Sequence, residues 1–159
     1  MRFIGSALVA SAFVLGACGG GEKAPAAENA APAAAPAAAA GTAAPITGAT
    51  IEVKMLGDEK GYRFEPNAIT LKAGDGIKFV FVSGGPHNVA FNAADIPADV
   101  KGQLDANMGA DKMSELSSKM TMQPGETVTI SFANIKPGTY PFHCTPHLAM
   151  NMKGTVTVQ

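Results

Sequence analysis

The chain has 159 residues, 47% hydrophobic and 16% charged, with a formal net charge of −1. That balance suits one soluble domain and supplies no basic field for nucleic acid, which is excluded as a partner. Only three histidines and two cysteines are present, too few for several histidine-rich centres.

The first elements are for export rather than folding. Arg2 precedes an apolar run from Phe3 to Leu15, and Leu15-Gly16-Ala17 places small residues ahead of Cys18. This reads as a signal peptide over 1–17, because the run is too short to span a bilayer. The tetrapeptide LGAC resembles the bacterial lipobox, so Cys18 is expected to carry lipid and to anchor the chain to a membrane, in the periplasm or at the cell surface. Residues 18–46 are almost entirely Ala, Pro and Gly. They offer too little apolar surface for a core, and their prolines interrupt any alanine helix, so they read as a flexible tether. With Cys18 lipidated, Cys144 has no thiol partner in an oxidising compartment, and must be buried, reactive or bound to something.

The globular domain is placed at 47–159. Ile51, Val53 and Met55 alternate with Glu52 and Lys54; Val128, Ile130 and Phe132 with Thr127, Thr129 and Ser131; Val156 and Val158 with Thr155 and Thr157. These are strands with one buried face. Further strands are expected at 77–82, 88–91 and 138–144, separated by turns at Gly74-Asp75-Gly76, Gly84-Gly85-Pro86, Pro124-Gly125 and Pro137-Gly138. The fold class that follows is all-β, an antiparallel Greek-key sandwich. Met113, Leu116 and Met120 stand at helical spacing, so one short helix or irregular excursion is expected within 105–120.

The chemistry concentrates in HCTPHLAMNM, residues 143–152. Alternation along the strand turns Tyr140, Phe142 and Cys144 inward and His143 outward, as a solvated strand residue. Pro146 ends the strand, so His147 lies on a loop. Cys144, His147 and either Met150 or Met152 then converge at one end of the sandwich, with His87 as the histidine left to join them. Two imidazoles, a thiolate and a thioether form the set used by blue-copper electron-transfer centres, whereas zinc prefers four strong ligands.

At this point the chain resembles the plastocyanin and amicyanin branch of the cupredoxins. The likeness runs over roughly Thr50 to Gln159 and is carried by PHNVAFNAADIP (86–97), by KPGTY (136–140), and by HCTPH followed by MKGTVTV. It implies one copper ion, cycling between Cu(I) and Cu(II), held by His87, Cys144, His147 and Met152. In the family the axial methionine stands two residues before the glycine of the last strand, here Gly154, and this favours Met152 over Met150. The resemblance also implies that Asn88 braces the ligand loop near Thr145. It further implies that His147 presents an imidazole edge to transiently docked redox proteins through a rim of Gly84, Gly85, Pro86, Leu148 and Ala149.

An enzyme is not expected. Multicopper oxidases and copper nitrite reductases need additional histidine-rich centres, and no nucleophile elbow or phosphate loop is present. The expected function is one-electron carriage by a monomer between partners such as a cytochrome c, an oxidase or a dehydrogenase. Plant plastocyanins dock through acidic clusters, but the equivalent Asn92-Ala93-Ala94-Asp95 has one carboxylate, so a photosynthetic partner does not follow. The competing function is copper handling, as a chaperone or store, through Met108, Met113, Met120 and Met122, since thioethers bind Cu(I).

Overall fold

The computed structural model describes residues 42–159. The signal segment, Cys18 and the tether up to residue 41 lie outside them. The described residues form eight strands, β1 (Thr50–Asp58), β2 (Gly61–Glu65), β3 (Ala68–Leu71), β4 (Gly76–Phe81), β5 (Ala90–Phe91), β6 (Thr127–Ser131), β7 (Gly138–His143) and β8 (Lys153–Val158), with one α-helix, α1 (Ala98–Asn107).

Two four-stranded sheets, β2-β1-β4-β6 and β3-β8-β7-β5, make an all-β sandwich. Two pairings are parallel rather than antiparallel: β1 with β4, and β3 with β8. The chain leaves the first sheet after the β1-β2 hairpin, contributes β3 to the second sheet, and returns as β4 beside β1. A strand reached by such a crossing can enter in the same direction as its neighbour. The expected all-β sandwich is present; alternation reports which face is buried and is silent on direction, so these two parallel pairings within an otherwise antiparallel arrangement could not be read from it.

The inward faces of both sheets meet in one core. Val53, Met55, Ile77, Phe79, Ile130 and Val156 are fully buried. Phe64 of β2, Phe79 of β4 and Phe142 of β7 pack edge to face, with ring centroids 4.7–5.9 Å apart, each pair adding roughly 0.5–1.5 kcal/mol beyond its buried area. β2 and β3 were not among the expected strands, although Phe64, Ile69 and Leu71 bury as a strand's inner face does. Both are short and flanked by exposed polar residues, which weakens a period-two signal.

The helix lies upstream of its expected place. It begins after Pro97, buries Val100 and Leu104 one turn apart, and ends at Met108 before Gly109, whose φ is +89°. Residues 108–126 are the irregular excursion. Their helical spacing does not become a helix because the backbone pairs elsewhere: the Phe91 amide donates to the Leu116 carbonyl (2.9 Å) and the Ser118 amide to the Val89 carbonyl (2.9 Å). The excursion therefore covers the edge of β5, which would otherwise be left open. Asp105 holds the excursion to the end of α1, accepting from the Leu116 amide at 2.7 Å and pairing with Lys112. Leu116 is fully buried, whereas Met113 stays 59% exposed.

The strands run between two poles. At one, the β3–β4 turn, the start of β7 and the end of β8 meet, and the incoming chain packs ahead of Thr47: the Ala44 amide donates to Asn107 Oδ1 at 2.8 Å. At the other pole lie the ends of β4 and β7 and the start of β8, which is where the candidate donors stand.

Candidate metal centre

His87 is positioned by a turn that only small residues fit. Gly84 has φ +72°, and a Cβ there would stand 2.3 Å from the Gly57 Cα; a Cβ on Gly85 would stand 2.1 Å from the Phe81 ring. The Phe81 ring in turn meets the His87 ring edge to face at 4.9 Å. The His87 backbone is held by Thr121: the His87 amide donates to the Thr121 carbonyl at 3.1 Å, and the Thr121 amide donates to the His87 carbonyl at 2.8 Å. On the ring, Nε2 donates to the Ser83 carbonyl at 2.8 Å. That bond places the proton on Nε2 and leaves the Nδ1 lone pair free, and Nδ1 faces Cys144 Sγ at 3.6 Å.

Cys144 follows β7 on its inward face, fully buried, with Tyr140 and Phe142 beneath it. The chain then turns tightly. The His147 amide donates to the Cys144 carbonyl (3.2 Å), the Met152 amide to the His147 carbonyl (3.2 Å), and the Cys144 amide to the Met152 carbonyl (3.0 Å). This closed ring of backbone bonds brings His147 Nδ1 to 3.4 Å from Cys144 Sγ. Met152 is fully buried at the ring's closure, whereas Met150, in the 3-10 turn Leu148–Met150, is 54% exposed.

Asn88 ties the two ligand segments together. Its Oδ1 accepts from the Thr145 amide at 2.7 Å, and its Nδ2 donates to Thr145 Oγ1 and to Ser117 Oγ, both at 3.1 Å. Every polar atom of that buried amide is therefore used.

The donor atoms of His87, Cys144 and His147 all lie within 4.8 Å of one another. Three donors in a plane at metal–ligand distances of about 2.1 Å stand about 3.6 Å apart, which matches the spacings at the sulfur. Burial holds both imidazoles below the usual histidine value, the Ser83 carbonyl pulling His87 partly back and the His87 ring adding to the effect at His147. Burial likewise raises the Cys144 thiol, against a smaller pull from the Asn88 and His147 amides. At neutral pH the metal-free pocket thus holds two neutral imidazoles and a protonated thiol, and metal binding must displace the thiol proton.

Tyr62 of β2, which no sequence motif marks as a site residue, also belongs to the centre. Its ring stacks on His147 with centroids 3.8 Å apart and planes 17° apart. The signal for it was the alternation of Tyr62 with Phe64 in GYRFE, which places an aromatic at a strand end. With Tyr62 on one face, His147 is only 5% exposed, so any surface it offers is narrow. His143 points outward and half-buried in β7, outside the cluster. The four methionines of the alternative site do not gather: Met108 is 5% exposed in the core and Met122 is 60% exposed, while Met113 and Met120 line a separate groove.

Two imidazoles and a thiol, buried at one end of a β-sandwich, define a cupredoxin with a blue-copper centre. A family described as copper binding proteins, plastocyanin/azurin family, matches residues 51–159. The plastocyanin of Prochlorothrix hollandica is 36% identical over 118 residues, covering 74% of this chain and 79% of that one. The plastocyanin of Dryopteris crassirhizoma is 39% identical over 112 residues, covering 70% of this chain and all of that one. An oxidised amicyanin mutant shares the fold, with a TM-score of 0.50 at 24% identity over 69% of this chain and 82% of that one. The chain belongs to the plastocyanin/azurin family of copper-binding proteins. Its cofactor is one copper ion, for which His87, Cys144 and His147 are positioned as ligands, and it is an electron carrier rather than an enzyme.

Proposed function

We propose that the chain is an exported carrier, tethered through lipid on Cys18 in the periplasm or at the cell surface, that passes single electrons between transiently docked redox proteins. The observation that carries the electron-transfer part is the preset donor cluster. His87, Cys144 and His147 already stand at metal-binding separations, each held by backbone bonds or by the Asn88–Thr145 pair. When bound there, copper supplies reversible one-electron chemistry. The protein's contribution is to move little when the charge changes: Ser83 fixes the His87 tautomer, the ring of amides fixes Cys144 and His147, and the core beneath Cys144 keeps water out. Met152, buried at the close of that ring, would supply the thioether that completes the donor set, and exposed Met150 would not.

Electrons enter or leave next to His147. Leu148 and Met150, 43% and 54% exposed, follow His147 in the chain, and Gly85 and Pro86 precede His87, whose ring lies 4.9 Å from that of His147; together they are read as an apolar face. A small apolar contact suits rapid exchange and weak binding. Asn92-Ala93-Ala94-Asp95 adds one carboxylate, so the partner is recognised mainly by the apolar face, as a cytochrome c, an oxidase or a dehydrogenase would be. Stopped-flow oxidation of the reduced copper protein by a cytochrome c tests this. Leu148→Asp should slow the second-order rate about tenfold or more, as burial of one charge in such a contact costs at least about 1.4 kcal/mol. An unchanged rate would place the route elsewhere.

A further inference from the structure

We propose that Met113, Met120 and His143 form a second site, on the surface, for a single Cu(I) ion. All three line one open groove of about 510 Å³, whose wall also includes Glu115. Strand pairing explains the convergence. His143 stands opposite Ala90 in the β7–β5 register, Ala90 bridges to Ser117 on its other side, and the Met113 amide donates to the Ser117 carbonyl at 3.0 Å. The excursion thus forms the outer row of the sheet edge, with Met113 and Met120 flanking its point of pairing and His143 two rows in.

The chemistry of the groove is soft. Two thioethers and an imidazole match Cu(I), whereas one carboxylate falls far short of the six or more oxygens a calcium site needs. Met113 is 59% exposed on a chain whose other large apolar residues mostly enter the core, so packing does not account for it. Among the described residues no hydrogen bond engages the His143 ring, which leaves its nitrogens available, and Glu115 supplies a negative charge to the wall. Asn88 and Thr145 line the same groove, so the site shares a wall with the ligand loop of the buried centre without sharing a ligand.

The test uses the full chain with its buried centre filled by one equivalent of copper and reduced under anaerobic conditions. Further Cu(I) is then supplied from a bicinchoninate buffer, with ¹³C-methyl methionine spectra as a second readout. The proposal predicts one additional copper per chain, shifts confined to the Met113 and Met120 methyls, and loss of that copper in Met113→Leu/Met120→Leu and in His143→Phe. After reoxidation both variants should keep the blue band of the wild type, which separates failure of this site from failure of the buried centre. The proposal is overturned if wild-type chain retains no additional copper, if the methyls that shift are those of Met122 or Met150, or if the variants retain as much as the wild type.

Discussion

The two poles of the sandwich solve opposite problems. At the pole where the chain enters, polar groups are spent on one another. Asn107 accepts from the Ala44 amide and donates to the Ser131 and Ala133 carbonyls at 3.0 Å, and Asp75 accepts from the Ala49 and Lys72 amides at 2.8 and 2.9 Å. At the other pole the backbone is equally satisfied, but two imidazole nitrogens and a thiol are buried facing each other, the thiol's remaining company being the Asn88 and His147 backbone amides. Burying donors that are only partly satisfied is costly unless a ligand completes the set. A pole closed by its own hydrogen bonds confers stability; a pole closed around open donors confers function.

That contrast can be broken from either side. The largest expected effect is Asn107→Ala, which strands three buried backbone groups and should cost about 3 kcal/mol in chemical denaturation while leaving the copper spectrum unchanged. Asn88→Ala should do the reverse, weakening copper retention about 10- to 100-fold in a competition with a chelator while lowering apoprotein stability less than Asn107→Ala does. Tyr62→Leu removes the ring stacked on His147. It should cost about 1 kcal/mol and loosen that ligand, seen as broadened His147 ring signals in the apoprotein. A spectrum as sharp as the wild type's would mean that the loop alone holds the imidazole.

The smallest effect is a pH dependence at the structural pole. The Lys72 and Ala49 amides, donating to Asp75, hold its carboxyl below the usual carboxylate range. A lowered folded-state value means that this contribution is fully present above the ordinary carboxylate pKa and is lost as pH falls through the depressed one. Melting curves of Asp75→Asn and wild type should therefore differ near neutrality and converge in acid. Curves that stay parallel to low pH would show that the carboxylate's charge is not what matters there.

How much of this was legible in the sequence depends on how local each signal is. Inner faces were readable wherever alternation was long, as in Val53-Met55 and Val128-Ile130, because burial of every second residue is a property of the strand alone. Strand direction, and short β2 and β3, depend on which sheet the chain enters next, and no local pattern encodes that. The spacing of Met113, Leu116 and Met120 misled for the same reason: those residues are fixed by pairing to β5, not by their own periodicity. His87, Cys144 and His147 could be gathered because the chain has only three histidines and two cysteines. Tyr62 was harder, since its alternation with Phe64 in GYRFE places an aromatic at a strand end without saying that it covers the ligand loop.

If Cys144 and two histidines bind copper for one-electron exchange, one equivalent of Cu(II) added to the metal-free protein should give an intense blue absorption band. Ascorbate should bleach the band, oxidation should restore it, and Cys144→Ser should lack it. A colourless wild-type protein, or a band that survives in Cys144→Ser, would contradict that assignment.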